Sequence, residues 1–154
     1  MTYFLFVKDV YLLHGSAGTV AEESAPLKDI IRIYAEQPGT RGVFLVDEYR
    51  RFSGMVSRLA IQKWAEYQLF GKWQGDESCH GINEMIDSVK AKDVAHGNWS
   101  SLALKTDDPL ETAFKRMIDL GEDILPVVDD KGRIIGDLSL SEVLEKAIEA
   151  GGCA

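Results

Sequence analysis

The chain carries one segment whose residue types and spacing suit anion chemistry, and a weaker copy of it. Gly136 is followed at three-residue steps by Ser139 and Glu142, just where an apolar β-branched run gives way to a helical pattern. A serine hydroxyl and unpaired backbone N–H groups at a helix start attract phosphate, because the orphan donors and the helix dipole both favour an anion. Apolar sheet faces beside such a point offer a slot for a purine. The same residues also serve as plain helix starts, with Ser139 and Ser141 as N-caps and Glu142 as a first-turn acid. The copy is Gly54, Ser57 and Arg58, with Ala60 in the place of Glu142. Other chemistry finds little support. Cys79-His80, His14 and His96 show no two-residue-spaced metal-ligand pair. No glycine-rich phosphate loop, nucleophile with a positioned histidine, or inward carboxylate pair emerges, so the chain is not read as an enzyme, and no metal or cofactor is expected.

The elements that position Ser139 are written in the stretch from Leu125 to Leu144. Val127 and Val128 form an apolar run, Asp129-Asp130-Lys131-Gly132 is turn chemistry, Ile134 and Ile135 resume a strand, and Gly136 marks a close backbone approach. Val143, Leu144, Ala147 and Ile148 then form one apolar helix stripe.

The rest of the chain repeats this order. Lys8-Asp9-Val10 opens the folded region, a polar loop runs from His14 to Gly18, and Thr19 to Ala21 is a short strand. Pro26 begins a helix with Leu27, Ile30, Ile31, Tyr34 and Ala35 on one face, ended by Pro38-Gly39. Val43 to Val46 and Phe52 to Val56 are strands about a turn at Asp47 to Arg51, and a helix leads from Ser57 past Trp64 towards Phe70. A connector, Gly71 to Gly81, precedes a short helix at Ile82 to Val89. Lys92-Asp93-Val94 then restarts the series with a polar loop through His96 to Asn98 and a strand at Leu102 to Leu104. In the next helix Asp108 as N-cap, Pro109 at N1 and Glu111 at N3 predict a capping box, and Gly121 supplies the stop. Val46 and Val128, Gly54 and Gly136, and Ser57 and Ser139 all stand 82 residues apart, so the chain is an internal duplication. Each half has too few elements to bury both faces of its sheet, which predicts that the halves pack on one another.

Composition agrees. Of 154 residues 45% are hydrophobic, enough for a real core, and the formal charge of −8 repels a polyphosphate backbone, so no nucleic-acid partner is expected. No apolar run approaches membrane-spanning length, Tyr3 to Val7 is too short for a signal-peptide core, and two distant cysteines suit reduced thiols; the expected setting is cytoplasmic. Trp64, Tyr67, Phe70 and Trp73 make an aromatic stripe at helical spacing that reads as core or dimer interface.

With this order in view, the chain resembles a tandem pair of CBS (cystathionine β-synthase) domains, a Bateman module, from Lys8 to Ile148. Pro126-Val127-Val128-Asp129 followed by Gly136, Ser139 and Glu142 carries the resemblance. It implies an α+β fold of two βαββα repeats packed sheet to sheet about a pseudo-twofold axis. The repeats are expected at 1–70 and 91–150, joined by a connector at 71–90 and followed by a flexible tail at 151–154. It implies an adenosine-containing ligand, AMP, ADP, ATP or S-adenosylmethionine, a homodimer, and a regulated partner such as an enzyme or transporter. The residues of this chain matching the family's ligand-binding pattern are Pro126, Gly136, Ser139 and Glu142, with Ser57 and Arg58 in the first repeat. Glu142 stands where the family has Asp and keeps a carboxylate able to accept from ribose hydroxyls. Ala60 removes that acceptor from the first repeat, Arg58 remains to meet a phosphate, and Phe44 replaces the proline found at Pro126. The competing expectation is a structural dimerisation module with decayed sites.

Overall fold

The structure, a computed structural model, describes residues 5–14, 19–71, 86–95 and 102–150. In chain order the elements are α1 (Val7–His14), β1 (Thr19–Glu22), α2 (Leu27–Glu36), β2 (Val43–Val46), β3 (Phe52–Val56), α3 (Arg58–Glu66), α4 (Leu110–Leu120), β4 (Ile124–Val128), β5 (Ile134–Ser139) and α5 (Leu140–Glu149). Tyr67–Gly71 continues α3 as a π-helical turn, and Ala91–Asp93 is a 3₁₀ turn. Contacts divide the chain into two compact units. Among the described residues, one unit takes 19–49, 53–71 and 86–95, and the other takes 5–14, 50–52 and 102–150.

The first repeat's unit is built on a three-stranded sheet in the order β1-β2-β3. β1 and β2 run parallel, Thr19 opposite Val43 through Glu22 opposite Val46, with α2 as their crossover. Leu27 and Ile30 of α2 are fully buried with Val43 and Leu45 of β2, Val56 of β3 and Ala91; half-buried Ile61 and Trp64 of α3 pack against this core. Burial of those apolar side chains at ~25 cal/mol per Å² is what holds α2 to the sheet. Of the expected aromatic stripe, Trp64 joins the core, whereas Tyr67 and Phe70 are exposed; Trp73 lies outside the described residues.

In the other unit β4 and β5 are antiparallel, Ile124 opposite Ser139 and Val127 opposite Gly136, with a bulge between Val127 and Val128. The strand expected at 102–104 is reduced to a single parallel bridge at Leu104. Its N–H donates to Pro126 O (2.8 Å) and its carbonyl accepts from Val128 N (2.8 Å). Pro126 has no N–H to make the preceding rung, so that ladder cannot extend towards Leu102.

Three further expectations are corrected. The opening expected at Lys8 to Val10 lies in a helix, Val7–His14; of the polar loop expected from His14 to Gly18, residues 15–18 lie outside the described residues. Asp9 Oδ2 accepts from Phe6 N (2.8 Å), half of a capping box, and Val7 and Val10 are buried one turn apart. The capping box at Asp108 does not form: α4 begins one residue later with Pro109 as N-cap and no side-chain cap bond. Asp108 Oδ2 instead accepts from Lys105 N (2.9 Å) and lies 3.8 Å from Arg116. Of the helix expected at 82–89, the described residues 86–88 form a turn. The expected C-terminal stop does hold, with Gly121 left-handed at φ 68°.

The first N–H of α2 and of α4 is met by backbone from elsewhere in its unit, and the segment that meets it donates back from its own first N–H groups. Leu110 N donates to Leu5 O (2.9 Å), Val7 N to Asp108 O (2.9 Å) and Lys8 N to Thr106 O (3.0 Å). In the other unit Leu27 N donates to Val89 O (2.9 Å), Ala91 N to Ala25 O (2.7 Å) and Lys92 N to Glu23 O (3.0 Å). Asp93 Oδ2 accepts from Lys90 N as Asp9 does from Phe6. The recurring Lys-Asp-Val segments therefore do the same work, and the one that precedes the first repeat in sequence serves the second repeat's helix.

Candidate ligand site

The hairpin β4–β5 delivers the chain to the start of α5. Ser139 ends β5 with an extended backbone (φ −99°, ψ 156°) and is the N-cap, its Oγ accepting from Glu142 N at 3.3 Å and lying 3.2 Å from Ser141 Oγ. It is 2% exposed. Glu142 is the first-turn acid of α5, and its Oε2 is buried with no hydrogen-bond partner among the described residues. A carboxylate oxygen withdrawn from water without a donor is costly, about 1–3 kcal/mol or more for a charged group. The serine-x-x-glutamate spacing would allow a closed capping box, yet Oε2 does not take part in one.

Gly136 lies upstream on β5, paired with Val127. A β-carbon built there would stand 2.9 Å from Tyr11 Cδ2, 3.4 Å from Cε2 and 4.0 Å from Cγ. The edge of the Tyr11 ring thus occupies the space that any other residue would need, which accounts for glycine here. Tyr11, on α1 and half-buried, is the residue sequence reasoning missed. The repeat of Lys8-Asp9-Val10 as Lys92-Asp93-Val94 was its only signal. Pro126, the fourth residue of this group, is buried on β4 beside Asp137.

The first repeat builds the same local turn with different chemistry. Ser57, 2% exposed, is the N-cap of α3 and accepts from Ala60 N at 3.0 Å. The Arg58 guanidinium is already engaged: it donates to Thr40 O at 2.9 Å and to Pro38 O, and lies over the Tyr34 ring at 5.5 Å. Tyr34 in turn donates its hydroxyl to Val56 O (2.6 Å). Arg58 therefore pins the loop after α2 to the start of α3. Phe44, in the place of Pro126, is fully buried. Pro126, Gly136, Ser139 and Glu142 thus share one unit, and Ser57 and Arg58 belong to the other.

Among the described residues no group of three or more His, Cys, Asp or Glu side chains could hold a metal ion, and no helix is long and apolar enough to cross a membrane. Cys79, His80 and His96 lie outside the described residues, as does the side chain of His14.

Comparison with known proteins fixes the family. The CBS domain profile matches residues 16–66 and again 91–149. No curated protein sequence matches the chain. Among solved structures, a CBS domain-containing protein of Thermotoga maritima is 29% identical, with a TM-score of 0.79 over 99% of this chain and 100% of that one. A CBS domain pair solved with 5′-methylthioadenosine and S-adenosyl-L-methionine is 15% identical, TM-score 0.66, over 97% of this chain and 100% of that one. CBSX2 in complex with AMP is 20% identical, TM-score 0.64, over 94% of this chain and 97% of that one. Two matched repeats, each with its own small sheet and helices, make the chain a member of the CBS domain family, as a tandem pair.

Proposed function

We propose that the chain is a regulatory module that senses an adenosine-containing ligand, AMP, ADP, ATP or S-adenosylmethionine, through its second repeat. The observation that carries this reading is the buried, unpartnered Oε2 of Glu142. Glu142 stands one helical turn from Ser139, whose hydroxyl accepts from its N–H at the start of α5, and under this reading an anion meets the dipole-favoured N-terminus and a diol the acceptor. The fold relatives solved with AMP and with S-adenosyl-L-methionine lend support. Under this reading Ser139 meets the phosphate or its equivalent, Glu142 the ribose, and Gly136 and Pro126 line the approach. The first repeat, with Ala60 and an engaged Arg58, binds weakly or serves structure, which favours one ligand per chain. The chain is not a catalyst. It acts in the cytoplasm on a partner enzyme or transporter, by preferring one arrangement of its repeats or subunits when occupied.

A homodimer belongs to the same reading. Ile118 of α4 and Leu144 and Ile148 of α5 are exposed apolar side chains on two contacting helices, as are Tyr67 and Phe70 beyond α3. The second reading, a structural dimerisation module, is favoured by Ala60 and by the engagement of Arg58. Thermal shift with AMP, ADP, ATP and S-adenosylmethionine separates the two. A concentration-dependent rise with at least one supports sensing, and no rise with any supports the structural role. Light scattering that gives a monomer mass at high micromolar concentration would overturn the dimer.

A further inference from the structure

Successive side chains along β5 point to opposite faces, so Gly136, against Tyr11, and fully buried Leu138 share one face while Asp137 and Ser139 share the other. Ser139 is still extended, so the alternation holds to the end of the strand. Across the ladder Pro126 stands opposite Asp137 and Ile124 opposite Ser139, and directly opposite residues of an antiparallel pair lie on one face. Half-buried Asp137 therefore belongs to the Ser139 face, roughly 7 Å along the strand from it. The charges of this segment have one sign. From Ile134 to Leu144 the ionisable residues are Asp137 and Glu142, and Glu142 Oε2 is buried with no hydrogen-bond partner among the described residues. Lys146, one turn further along α5, is turned to Glu149 instead (3.9 Å). The matching positions of the first repeat reverse the sign: Met55 stands for Asp137, Arg58 for Leu140 and Ala60 for Glu142. A phosphate ester would bring ~1.5–2 negative charges to the second repeat's two acids, and like charges repel more strongly where water is excluded.

We infer that Asp137 is a specificity-determining residue of the second repeat's site and selects an adenosine ligand that carries a sulfonium, the class of S-adenosylmethionine, over the phosphate esters AMP, ADP and ATP. The inference rests on the sensing reading above and narrows its ligand class. A sulfonium has no N–H or O–H, so its attraction to a carboxylate is Coulombic and needs proximity without alignment. The same ligand has a single carboxylate for the dipole-favoured helix start at Ser139 and a ribose for Glu142. A phosphate ester answers the helix start alone and meets both acids with the wrong sign.

The test uses the full chain, with S-adenosylmethionine, S-adenosylhomocysteine, AMP and ATP titrated by calorimetry into wild type and Asp137→Asn. S-adenosylhomocysteine is the neutral thioether that lacks only the sulfonium methyl, so it isolates the charge. Wild type should bind S-adenosylmethionine roughly five- to a hundredfold more tightly than the thioether or either phosphate ester. Asp137→Asn keeps the shape and removes the charge. It should weaken S-adenosylmethionine about five- to fiftyfold, leave the thioether within about threefold, and so narrow the ratio between them. Tighter binding of AMP or ATP to wild type, equal affinity for sulfonium and thioether, or an unchanged ratio in Asp137→Asn overturns the inference while the sensing reading stands. If none of the four compounds binds wild type, the sensing reading itself fails and the inference falls with it. Should Asp137→Asn not fold, the order of the four affinities on wild type decides the matter.

Discussion

Arg50 holds in the first hairpin the turn position that Gly132 holds in the second, and both backbones are left-handed, at φ 67° and 82°. The turns are otherwise alike: Asp47 Oδ1 accepts from Tyr49 N (2.8 Å) as Asp129 Oδ1 does from Lys131 N (2.9 Å). A side chain in this region costs about 1–2 kcal/mol, and glycine returns about 0.5–1 kcal/mol of that as extra entropy of the unfolded chain. Arg50→Gly should therefore raise stability by about 0.5–1 kcal/mol in urea unfolding. Gly132→Ala should lower it. A β-carbon at 132 would meet Arg51 only at 3.8 Å, an ordinary contact, so the loss would come from φ and not from a clash.

Asp129 makes the second turn sensitive to acid. The backbone N–H of Arg133 chiefly, helped by that of Lys131 and by both nearby cations, holds its carboxyl below the ordinary 3.8. The folded value lies below the unfolded one, so the turn's contribution is complete above 3.8 and is lost as pH falls towards the folded value. Melting between about pH 5 and pH 2 should show a smaller acid-induced fall for Asp129→Asn than for wild type. Parallel curves would refute this.

Gly136→Ala places a β-carbon 2.9 Å from Tyr11 Cδ2, so the ring or the strand must shift. Such overpacking costs about 1–3 kcal/mol. Combining it with Tyr11→Ala should recover part of that loss, giving a coupling energy well above zero in a double-mutant cycle measured by denaturation.

Ser139 and Glu142 can be separated as cap and as ligand contact. Ser139→Ala should lower stability by ~0.5–2 kcal/mol through its lost cap. It should also shrink the ligand-dependent rise in melting temperature, by the equivalent of ~1.5–3 kcal/mol for a bond to a charged group. Glu142→Gln should shrink the rise with little effect on the ligand-free protein. Ser57→Ala should lose its cap energy and keep the rise. An unchanged rise in all three variants would remove these residues from the site.

What the sequence made legible was local. The helix starts at Ser57 and Ser139 form as their spacing required, because the acceptor and the N–H it meets lie three residues apart. The Asp108 box had the same local signal and did not form, since Leu5 reached Leu110 N from over a hundred residues away and Asp108 turned to Lys105. Position 11 carried no local cue at all. Its meaning depends on β5, and only the recurring Lys-Asp-Val before it hinted that the segment had a fixed place. The α5 stripe was read correctly as a pattern, but periodicity cannot say what covers a face: Val143 is buried, whereas Ile148 is 78% exposed. Arg58 shows the same limit, because its carbonyl partners at Pro38 and Thr40 are set by the fold of a loop.

The bond from Leu110 to Leu5 has a consequence for biosynthesis. At a translation rate of about 5–20 residues per second, the segment that α4 requires leaves the ribosome on the order of 5–20 s before α4 exists. The nascent unit spanning residues 19 to 95 can close from nearly contiguous chain, while α1 must wait with Val7, Val10 and Tyr11 uncovered. That interval exposes a short apolar helix to chaperones or to another nascent chain, and a bulky fusion at the N-terminus would hinder the second repeat more than the first.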